Sequence, residues 1–149
     1  MYITPELKFY MAYIQQKTVN SHIMLFDADH FSVPIPKMFT GQYWQKQNAI
    51  TGQATGRGTT YFFQHDKNDY VLRHYHRGGL IGKILSDQYL YTGFEQSRAW
   101  QEFKLLQHMQ TLNLACPTPI AAMLNKSGLY YQADIILTKI PNAQDLHFI

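Results

Sequence analysis

Two runs rich in β-branched and aromatic residues constrain the fold of this chain more than any other feature. They are Thr59–Gln64 and Tyr70–His76, and the polar segment His65–Asp69 between them predicts a turn. A glycine-rich turn at residues 56–58 immediately precedes the first run and lies between strand-like segments. The sequence therefore predicts antiparallel strands joined by short turns in this part of the chain.

The clearest helical pattern covers Ser97–Leu112, and the prolines that follow Asn113 predict its end. At about 100° per residue, one side of this helix carries an apolar arc. The arc consists of Ala99, Phe103, Leu106 and Met109, and the opposite side of Gln101, Lys104, His108 and Thr111. Glu102 falls inside the apolar arc. Because a buried carboxylate needs a partner, we expect a cation from another element to contact Glu102.

The remaining segments complete an antiparallel α+β fold. Phe39–Asn48 predicts a short helix, whereas His22–Phe26, Ile120–Leu124 and Leu129–Ile140 predict strands. The polar segment Asn125–Gly128 predicts the turn between the last two strands. We therefore expect an antiparallel sheet of about five strands with one major helix.

The composition limits the class of protein. With 149 residues, the chain is long enough for one domain with a substantial core. Its single cysteine, Cys116, excludes an internal disulfide and a zinc site built from several cysteines, and we expect a buried, inert thiol there. The net charge of +3 is compatible with an anionic partner but is small. No apolar run approaches the roughly 18 residues of a membrane-spanning helix.

The glycine-rich turn has the composition of a phosphate-binding loop. Gly56 and Gly58 allow the backbone to turn tightly and to direct N–H groups at phosphate oxygens, and Arg57 adds a positive charge. The match to G-x-G-x-x-G is partial, because Tyr61 stands where the third glycine would be. An ordinary hairpin turn is the alternative interpretation.

The strand that follows this turn carries a cation at an informative spacing. Alternation along the strand puts Val71, Arg73 and Tyr75 on one face. Val71 and Arg73 reproduce the spacing of the small apolar residue and the lysine in the kinase strand V-A-I-K, with arginine in place of lysine. Arg73 is also the natural partner for Glu102. A purely structural Arg–Glu pair without a ligand is the alternative.

The glycine-rich segment Arg77–Lys83 fails the Walker A pattern, because Arg77 stands where the first glycine should be and Ile84 replaces Ser or Thr. Together with Arg73, His74 and His76, it could form a basic patch for phosphate, lipid head groups or nucleic acid, or an ordinary solvated loop. His74 and His76 share a strand face, but no third ligand has a suitable spacing, so we predict no metal site.

Four segments taken together resemble the lipopolysaccharide-core sugar kinases, and in particular the 3-deoxy-D-manno-octulosonic acid (Kdo) kinases. The segments are RGTTYFF, LRHYHRGGLIGK, SRAWQEFKLL and YYQADIILTKIPNAQDL, and they follow one another in family order between Trp44 and Leu146. The resemblance implies a protein-kinase-like fold. Residues 1–40 would be an N-terminal extension, and residues 41–149 would be a kinase-like N-terminal lobe with its hinge.

The resemblance also implies a reaction and a location. The reaction would be the transfer of phosphate from MgATP to the 4-hydroxyl of Kdo on a lipid A precursor. The enzyme would associate peripherally with the anionic cytoplasmic face of the inner membrane and would have no nucleic-acid partner. A basic nucleic-acid or anionic-lipid binding module and a non-catalytic pseudokinase remnant are the alternative functions.

Carried over residue by residue, the resemblance assigns a nucleotide site. Its residues would be Gly56, Arg57 and Gly58 over the phosphates, Val71 on the ligand face, Arg73 pairing the phosphates, and Glu102 holding Arg73. Lys83 is a second candidate for the phosphate-pairing cation. Leu137–Ala143 would be the hinge beside adenine, where backbone groups read the base.

The sequence departs from the family pattern in one respect. The family continues into a second lobe with a catalytic Asp and metal-binding Asn and Asp residues, and none of these can be placed here. Asp134 and Asp145 precede the position where such residues should lie. We expect the C-terminal lobe to be absent, the catalytic and metal-binding residues to follow Ile149, and the 149-residue chain alone to show no kinase turnover.

Overall fold

The computed structural model describes residues 14–32, 34–56, 58–77 and 87–140. These residues form one antiparallel sheet of eight strands. The strands are β1 Ile14–Val19, β2 His22–Asp27, β3 Ile50–Gly56, β4 Gly58–His65, β5 Asn68–His74, β6 Tyr89–Leu90, β7 Pro119–Ser127 and β8 Tyr130–Thr138. Two α-helices, α1 Gly41–Lys46 and α2 Arg98–Thr111, accompany two 3-10 turns, Pro36–Phe39 and Phe94–Gln96. The fold is α+β, as predicted.

The strand order across the sheet is β1-β2-β7-β8-β5-β4-β3, and the short β6 also pairs with β8. The central strand β8 therefore contacts β7 along one edge and both β5 and β6 along the other. The segment predicted as an N-terminal extension contributes β1 and β2, and β2 pairs with β7 within the same sheet. None of the described helices is long and apolar enough to cross a membrane.

The sheet separates two apolar cores. On one face, Trp44 of α1 stacks on Phe63 with a centroid separation of 4.0 Å, and its indole N–H donates to the carbonyl of Met38 at 2.8 Å. On the other face, α2 packs against β7 and β8 through the fully buried Phe103 and its neighbours. Because β-strand residues alternate, neighbouring residues such as Ala122 and Met123 of β7, or Ile135 and Ile136 of β8, contribute to different cores.

Helix α2 has the predicted orientation. Ser97 caps its first turn by accepting a hydrogen bond from the backbone N–H of Trp100 at 3.2 Å. Ala99, Phe103 and Leu106 are buried, and Met109 packs against the same core. The predicted opposite side is largely exposed. The helical periodicity therefore identifies correctly which face of α2 contacts the sheet.

Three aspects of the sequence prediction are wrong in detail. The sheet has eight strands where about five were expected, since β1 and β6 were not assigned as strands and the strand-like segment that became β3 was given no bounds. The turn between β7 and β8 consists of Gly128 and Leu129 only, because Gly128 has a positive φ of 61° that permits a tight reversal. The Cys116 thiol is half-buried instead of buried, and desolvation raises its pKa.

Candidate functional site

Two rows of paired residues cross β4, β5 and β8 on the face of the sheet that contacts α2. The first row consists of Phe62, Val71 and Leu137, and the second of Thr60, Arg73 and Ile135. The rows are two residues apart on each strand, which corresponds to roughly 7 Å. The face therefore changes along the strands from an apolar row at the end of β8 to a row that contains a cation.

The side chains of Arg73, Tyr75 and Glu102, here called the Arg73 cluster, join β5 to α2. The Arg73 guanidinium donates from Nη2 to Glu102 Oε2 at 2.5 Å, and the Tyr75 hydroxyl donates to Glu102 Oε1 at 2.5 Å. Burial and the neighbouring Glu102 carboxylate raise the pKa of Tyr75, so its hydroxyl remains a donor. The expectation that Glu102 is held by a cation from another element is confirmed.

Arg73 retains capacity for a further anion. Its side chain is 38% exposed, and a guanidinium has five N–H donors. Among the residues that the structure describes, Glu102 is the recorded hydrogen-bond and ion-pair partner of this guanidinium. The arrangement can therefore hold Arg73 in place through Glu102 and still present donors to a phosphate or carboxylate.

The glycine-rich turn connects β3 to β4, and it lies next along β4 after the second row, which contains Arg73. Gly58 has a positive φ of 82°, and a Cβ atom at this position would lie 2.2 Å from His76 Nε2. The positive φ of Gly58 favours glycine, and a Cβ atom there would also require the His76 ring to move. A Cβ atom on Gly56 would meet nothing within 4 Å. Of these two glycines, Gly58 is therefore the one whose backbone conformation favours glycine.

The opposite face of β5 carries a second charged group, here called the His74 cluster. His74 Nδ1 lies 2.7 Å from Asp134 Oδ1, and His74 Nε2 lies 2.8 Å from Asp87 Oδ2. Gln132 Nε2 donates to the same Asp87 oxygen at 2.7 Å. The hydrogen bond with Asp134, together with the charges of both carboxylates, raises the pKa of His74 to about 9 despite its burial. His74 is therefore a cation at neutral pH.

The electrostatics of the His74 cluster are dominated by its burial and by its two acids. Asp134 is 8% exposed, and desolvation raises its pKa more than the neighbouring imidazolium lowers it. Both ring nitrogens of His74 are occupied by carboxylates, which leaves neither lone pair for a metal ion. Within residues 14–32, 34–56, 58–77 and 87–140, no group of three or more His, Cys, Asp or Glu side chains is arranged to hold a metal ion.

Several residues assigned from the sequence fall outside the described part of the chain. They are Arg57, Lys83 and the end of the proposed hinge at 141–143. Val71 is described, and it pairs directly with Leu137 at the start of that hinge. The proposed basic patch is divided between two faces, because Arg73 contacts α2 whereas His74 contacts Asp134 and Asp87 on the other side.

Comparison with known proteins decides the family. Residues 41–149 match the family described as "Lipopolysaccharide kinase (Kdo/WaaP) family". The chain belongs to this family. The resemblance noted in the sequence is thereby confirmed, and the antiparallel sheet with one major helix is the kinase-like N-terminal lobe that the resemblance implies.

Curated relatives in this family are named 3-deoxy-D-manno-octulosonic acid kinase. The chain is 47% identical over 133 residues to that of Vibrio parahaemolyticus, covering 89% of this chain and 56% of the relative. It is 49% identical over 105 residues to that of Vibrio cholerae, covering 70% and 45%, and 42% identical over 138 residues to one from Haemophilus influenzae, covering 89% and 57%. The chain thus spans about half the length of these relatives. Among solved protein structures, none matches it significantly.

The sequence did not identify every polar residue of this lobe. Asp87 and Asp134 were not recognised as partners of His74, because Asp134 reaches it through the pairing of β5 with β8 and Asp87 reaches it from the segment just before β6. Asp134 lies directly opposite His74 in the pairing of β5 with β8, so it could have been found only from that strand pairing, and no signal in the sequence identifies Asp87. The Arg73–Glu102 pair was found because helical periodicity placed Glu102 on the buried side of α2.

Proposed function

We propose that the protein to which this chain belongs transfers phosphate from ATP to the 4-hydroxyl of Kdo on a lipid A precursor, at the cytoplasmic face of the inner membrane. The ion pair between Arg73 of β5 and Glu102 of α2 carries this proposal. A strand cation held by a helix carboxylate is the arrangement with which kinases bind the phosphates of ATP. The names of the relatives support Kdo as the acceptor.

The two rows on the α2 side suggest how the nucleotide lies. In this proposal the purine packs against the apolar row that contains Val71 and Leu137, and the backbone after Leu137 reads its edge. The phosphates extend toward Arg73, with the turn at Gly56 and Gly58 covering them. The separation of roughly 7 Å between the rows is compatible with the distance from a nucleoside to its phosphates.

Arginine in place of the usual lysine changes the geometry of phosphate binding. A guanidinium offers a planar fork of donors and can contact two oxygens at once, whereas a lysine ammonium acts as a point charge. Glu102, which is itself held by the Tyr75 hydroxyl, fixes one side of this fork. Arg73 therefore binds and orients the phosphates with little further loss of side-chain freedom when the nucleotide enters.

Mg²⁺ neutralises phosphate charge in phosphoryl transfer. The described residues do not form a group of three or more acidic, histidine or cysteine side chains suited to a metal. In this proposal, therefore, the protein ligands of Mg²⁺ lie outside the described residues, and the role of the described residues is to bind and orient ATP.

Substitution of Arg73 in the full-length protein tests the proposal. Arg73→Ala should abolish the rise in melting temperature that ATP causes, and should lower kcat/KM for phosphate transfer to a Kdo-lipid acceptor by about 10²- to 10³-fold. Arg73→Lys should retain part of both, because the charge remains while the fork of donors is lost.

Lys104→Ala is the matched control, because Lys104 is an exposed cation of α2 that lies over Trp100, away from the apolar arc. It should leave both measurements unchanged. If Arg73→Ala folded normally and kept the stabilisation by ATP, Arg73 would be part of a structural ion pair only. Binding to nucleic acid that falls steeply with salt and ignores ATP would favour the alternative of a basic binding module.

A further inference from the structure

A groove, here called the β8 groove, lies on the face of the sheet opposite α2, where the 3-10 turn Pro36–Phe39 meets β7 and β8. Its volume is about 320 Å³, at the lower end of the range of about 300 to 1,000 Å³ for small-molecule sites. The groove is therefore large enough for one small ligand. Its lining includes Lys37, Phe39, Met123, Asn125, Gln132 and Asp134.

The register of the sheet explains why polar groups converge at the β8 groove. Asp134 of β8 pairs with Met123 of β7 and with His74 of β5. Two residues further along, Gln132 of β8 pairs with Asn125 of β7. Residues two apart on a strand share a face, so both rows lie on the side of the sheet that carries α1. The apolar core on that side ends at Met123, and polar residues continue the face beyond it.

Asp134 is the most informative of these polar groups. It is 8% exposed, and its Oδ1 lies 2.7 Å from His74 Nδ1. No hydrogen bond joins its other oxygen, Oδ2, to any residue in the described part of the chain. A buried acceptor without a partner costs free energy, so this oxygen calls for a donor from water or from a ligand in the groove.

Three further side chains at the groove have hydrogen-bonding capacity to spare. Asn125 Oδ1 accepts from the Ser21 hydroxyl at 2.8 Å, and no described residue accepts from its Nδ2. Gln132 Nε2 donates to Asp87, and no described residue donates to its Oε1. Lys37 is exposed and forms no ion pair within the described ranges. The groove thus presents acceptors and donors side by side.

The charges at the groove select against a charged ligand. Lys37 and His74 are positive, whereas Asp134 and Asp87, which hold His74 between them, are negative. An anion would meet the two carboxylates, and a cation would meet the ammonium and the imidazolium. A neutral hydroxyl avoids both penalties, because it can donate to a carboxylate and accept from an amide or an ammonium.

We propose that the β8 groove binds one uncharged, hydroxyl-rich unit, such as the ring of a sugar. One hydroxyl of this ligand donates to Asp134 Oδ2, and neighbouring hydroxyls accept from Asn125 Nδ2 and Lys37 Nζ. The C–H face of the ring packs against Met123, at the apolar end of the groove. His74, which is saturated by its two acids, contacts no ligand and serves to hold Asp134 in place.

This site is separate from the proposed nucleotide site. Arg73 and His74 are consecutive residues of β5 with side chains on opposite faces, so the sheet lies between Arg73 and the β8 groove. A hydroxyl bound at Asp134 cannot reach phosphates that are held by Arg73. The inference therefore goes beyond the proposed reaction, since the sugar recognised here is not the group that receives phosphate.

The test is a titration of the isotope-labelled, full-length protein with methyl glucoside, methyl mannoside and methyl galactoside. At least one of them should shift the backbone amide signals of Asn125 and Gln132, with a Kd of about 1 mM, as expected for so small a ligand. Asn125→Ala should raise this Kd by about three- to tenfold, because one hydrogen bond is lost, and Lys37→Ala should have a similar effect.

Lys126→Ala is the matched control. Lys126 follows Asn125 in β7 but lies on the other face, with Nζ 4.4 Å from the centre of the Tyr91 ring, so its loss should leave the Kd unchanged. The proposal is overturned if no glycoside shifts the two signals, as for a groove that holds only water. It is also overturned if Asn125→Ala and Lys126→Ala weaken binding equally, or if inorganic phosphate binds the groove more tightly than every glycoside.

The same titration separates two sources of the ligand. Maltose that binds at least as tightly as glucose would support a sugar unit within a larger saccharide, whereas tighter binding of glucose would support a free monosaccharide. Saturating ATP should leave either Kd unchanged, and competition by ATP would contradict the placement of the two sites on opposite faces. Because sugar binding needs no phosphate transfer, its failure would leave the proposed kinase reaction standing.

Discussion

Arg73 and His74 are consecutive cations of β5, and they lie on opposite faces of the sheet in very different surroundings. Arg73 has one carboxylate partner, Glu102, and is 38% exposed. His74 has two carboxylate partners, Asp134 and Asp87, at 2.7 and 2.8 Å, and its side chain is 29% exposed. The first cation therefore has donors to spare, whereas both donors of the second are occupied.

This difference separates a cation that can bind a ligand from one that holds the fold. A saturated imidazolium between two acids offers nothing to a phosphate, but removing it leaves two carboxylates facing each other. An arginine with a single partner contributes less to stability and keeps its capacity for an incoming anion. The four predictions below test whether stability depends on the His74 side and ligand binding on the Arg73 side.

The largest effect should come from His74→Leu. The substitution leaves Asp134 and Asp87 without their shared cation, and we expect the free energy of unfolding to fall by about 3 kcal/mol. Arg73→Leu should cost about 1 kcal/mol or less, because its ion pair is partly solvated. Urea denaturation of both variants measures the difference. Equal losses would show that the two cations play the same structural role.

The pH dependence of stability should reflect the same cluster. The folded-state pKa of His74 is about 9, above the ordinary value of 6.5. A raised histidine pKa contributes stability fully below pH 6.5, and this contribution is lost as pH rises through about 9. Urea denaturation measured across this range should therefore show the free energy of unfolding falling as pH rises. The total fall should be smaller than the loss of unfolding free energy that His74→Leu causes. In His74→Leu the unfolding free energy should change less with pH over this range. If its pH dependence were the same as in the unaltered protein, another group would be responsible for the effect.

A smaller effect is expected from Gly58→Ala. The positive φ and the approach of His76, which packs edge-on against His74 at 4.9 Å, should make this variant less stable by about 2 kcal/mol. Gly56→Ala is the matched control and should be nearly neutral, since its Cβ meets nothing within 4 Å. Thermal unfolding of the pair measures the contrast. Similar melting temperatures would mean that the turn relaxes without disturbing the His74 side.

The smallest effect should follow Tyr75→Phe. This change removes the hydrogen bond to Glu102 Oε1 but keeps the packing of the ring and the ion pair with Arg73. We expect a loss of about 1 kcal/mol in stability and a modest rise in KM for ATP with kcat little changed. Urea denaturation measures the loss of stability, and steady-state kinetics measures KM for ATP and kcat. A large fall in kcat instead would mean that the tyrosine hydroxyl itself takes part in the reaction.

Much of the α2 side could be predicted from the sequence. The period of Ser97–Leu112 places Glu102 among apolar residues, and the alternation of Tyr70–His76 places Arg73 and Tyr75 together. These signals are local, so they need no knowledge of strand order. The structure confirms the Arg73–Glu102 contact that they imply.

The His74 side and several strands could not be predicted in this way. The partners of His74 depend on which strands become neighbours, and the order that places β8 beside β5 is a property of the whole sheet. Strand β1, with the sequence IQQKTV, is mostly polar because it is an edge strand exposed along most of its length. Tyr89 and Tyr91, which pack against Tyr131, likewise come from a segment far from it in the chain.

The position of β7 and β8 in the middle of the sheet has a consequence for the order of folding. They are the last of the described strands in the chain, yet β2 and β5 can pair only with them on their inner edges. The contact between Ser21 and Asn125, for example, joins positions 104 residues apart. During synthesis the two outer parts of the sheet must wait with unpaired inner edges until the central hairpin emerges. Interruption of synthesis before β8 should therefore leave aggregation-prone edges that a chaperone would have to cover.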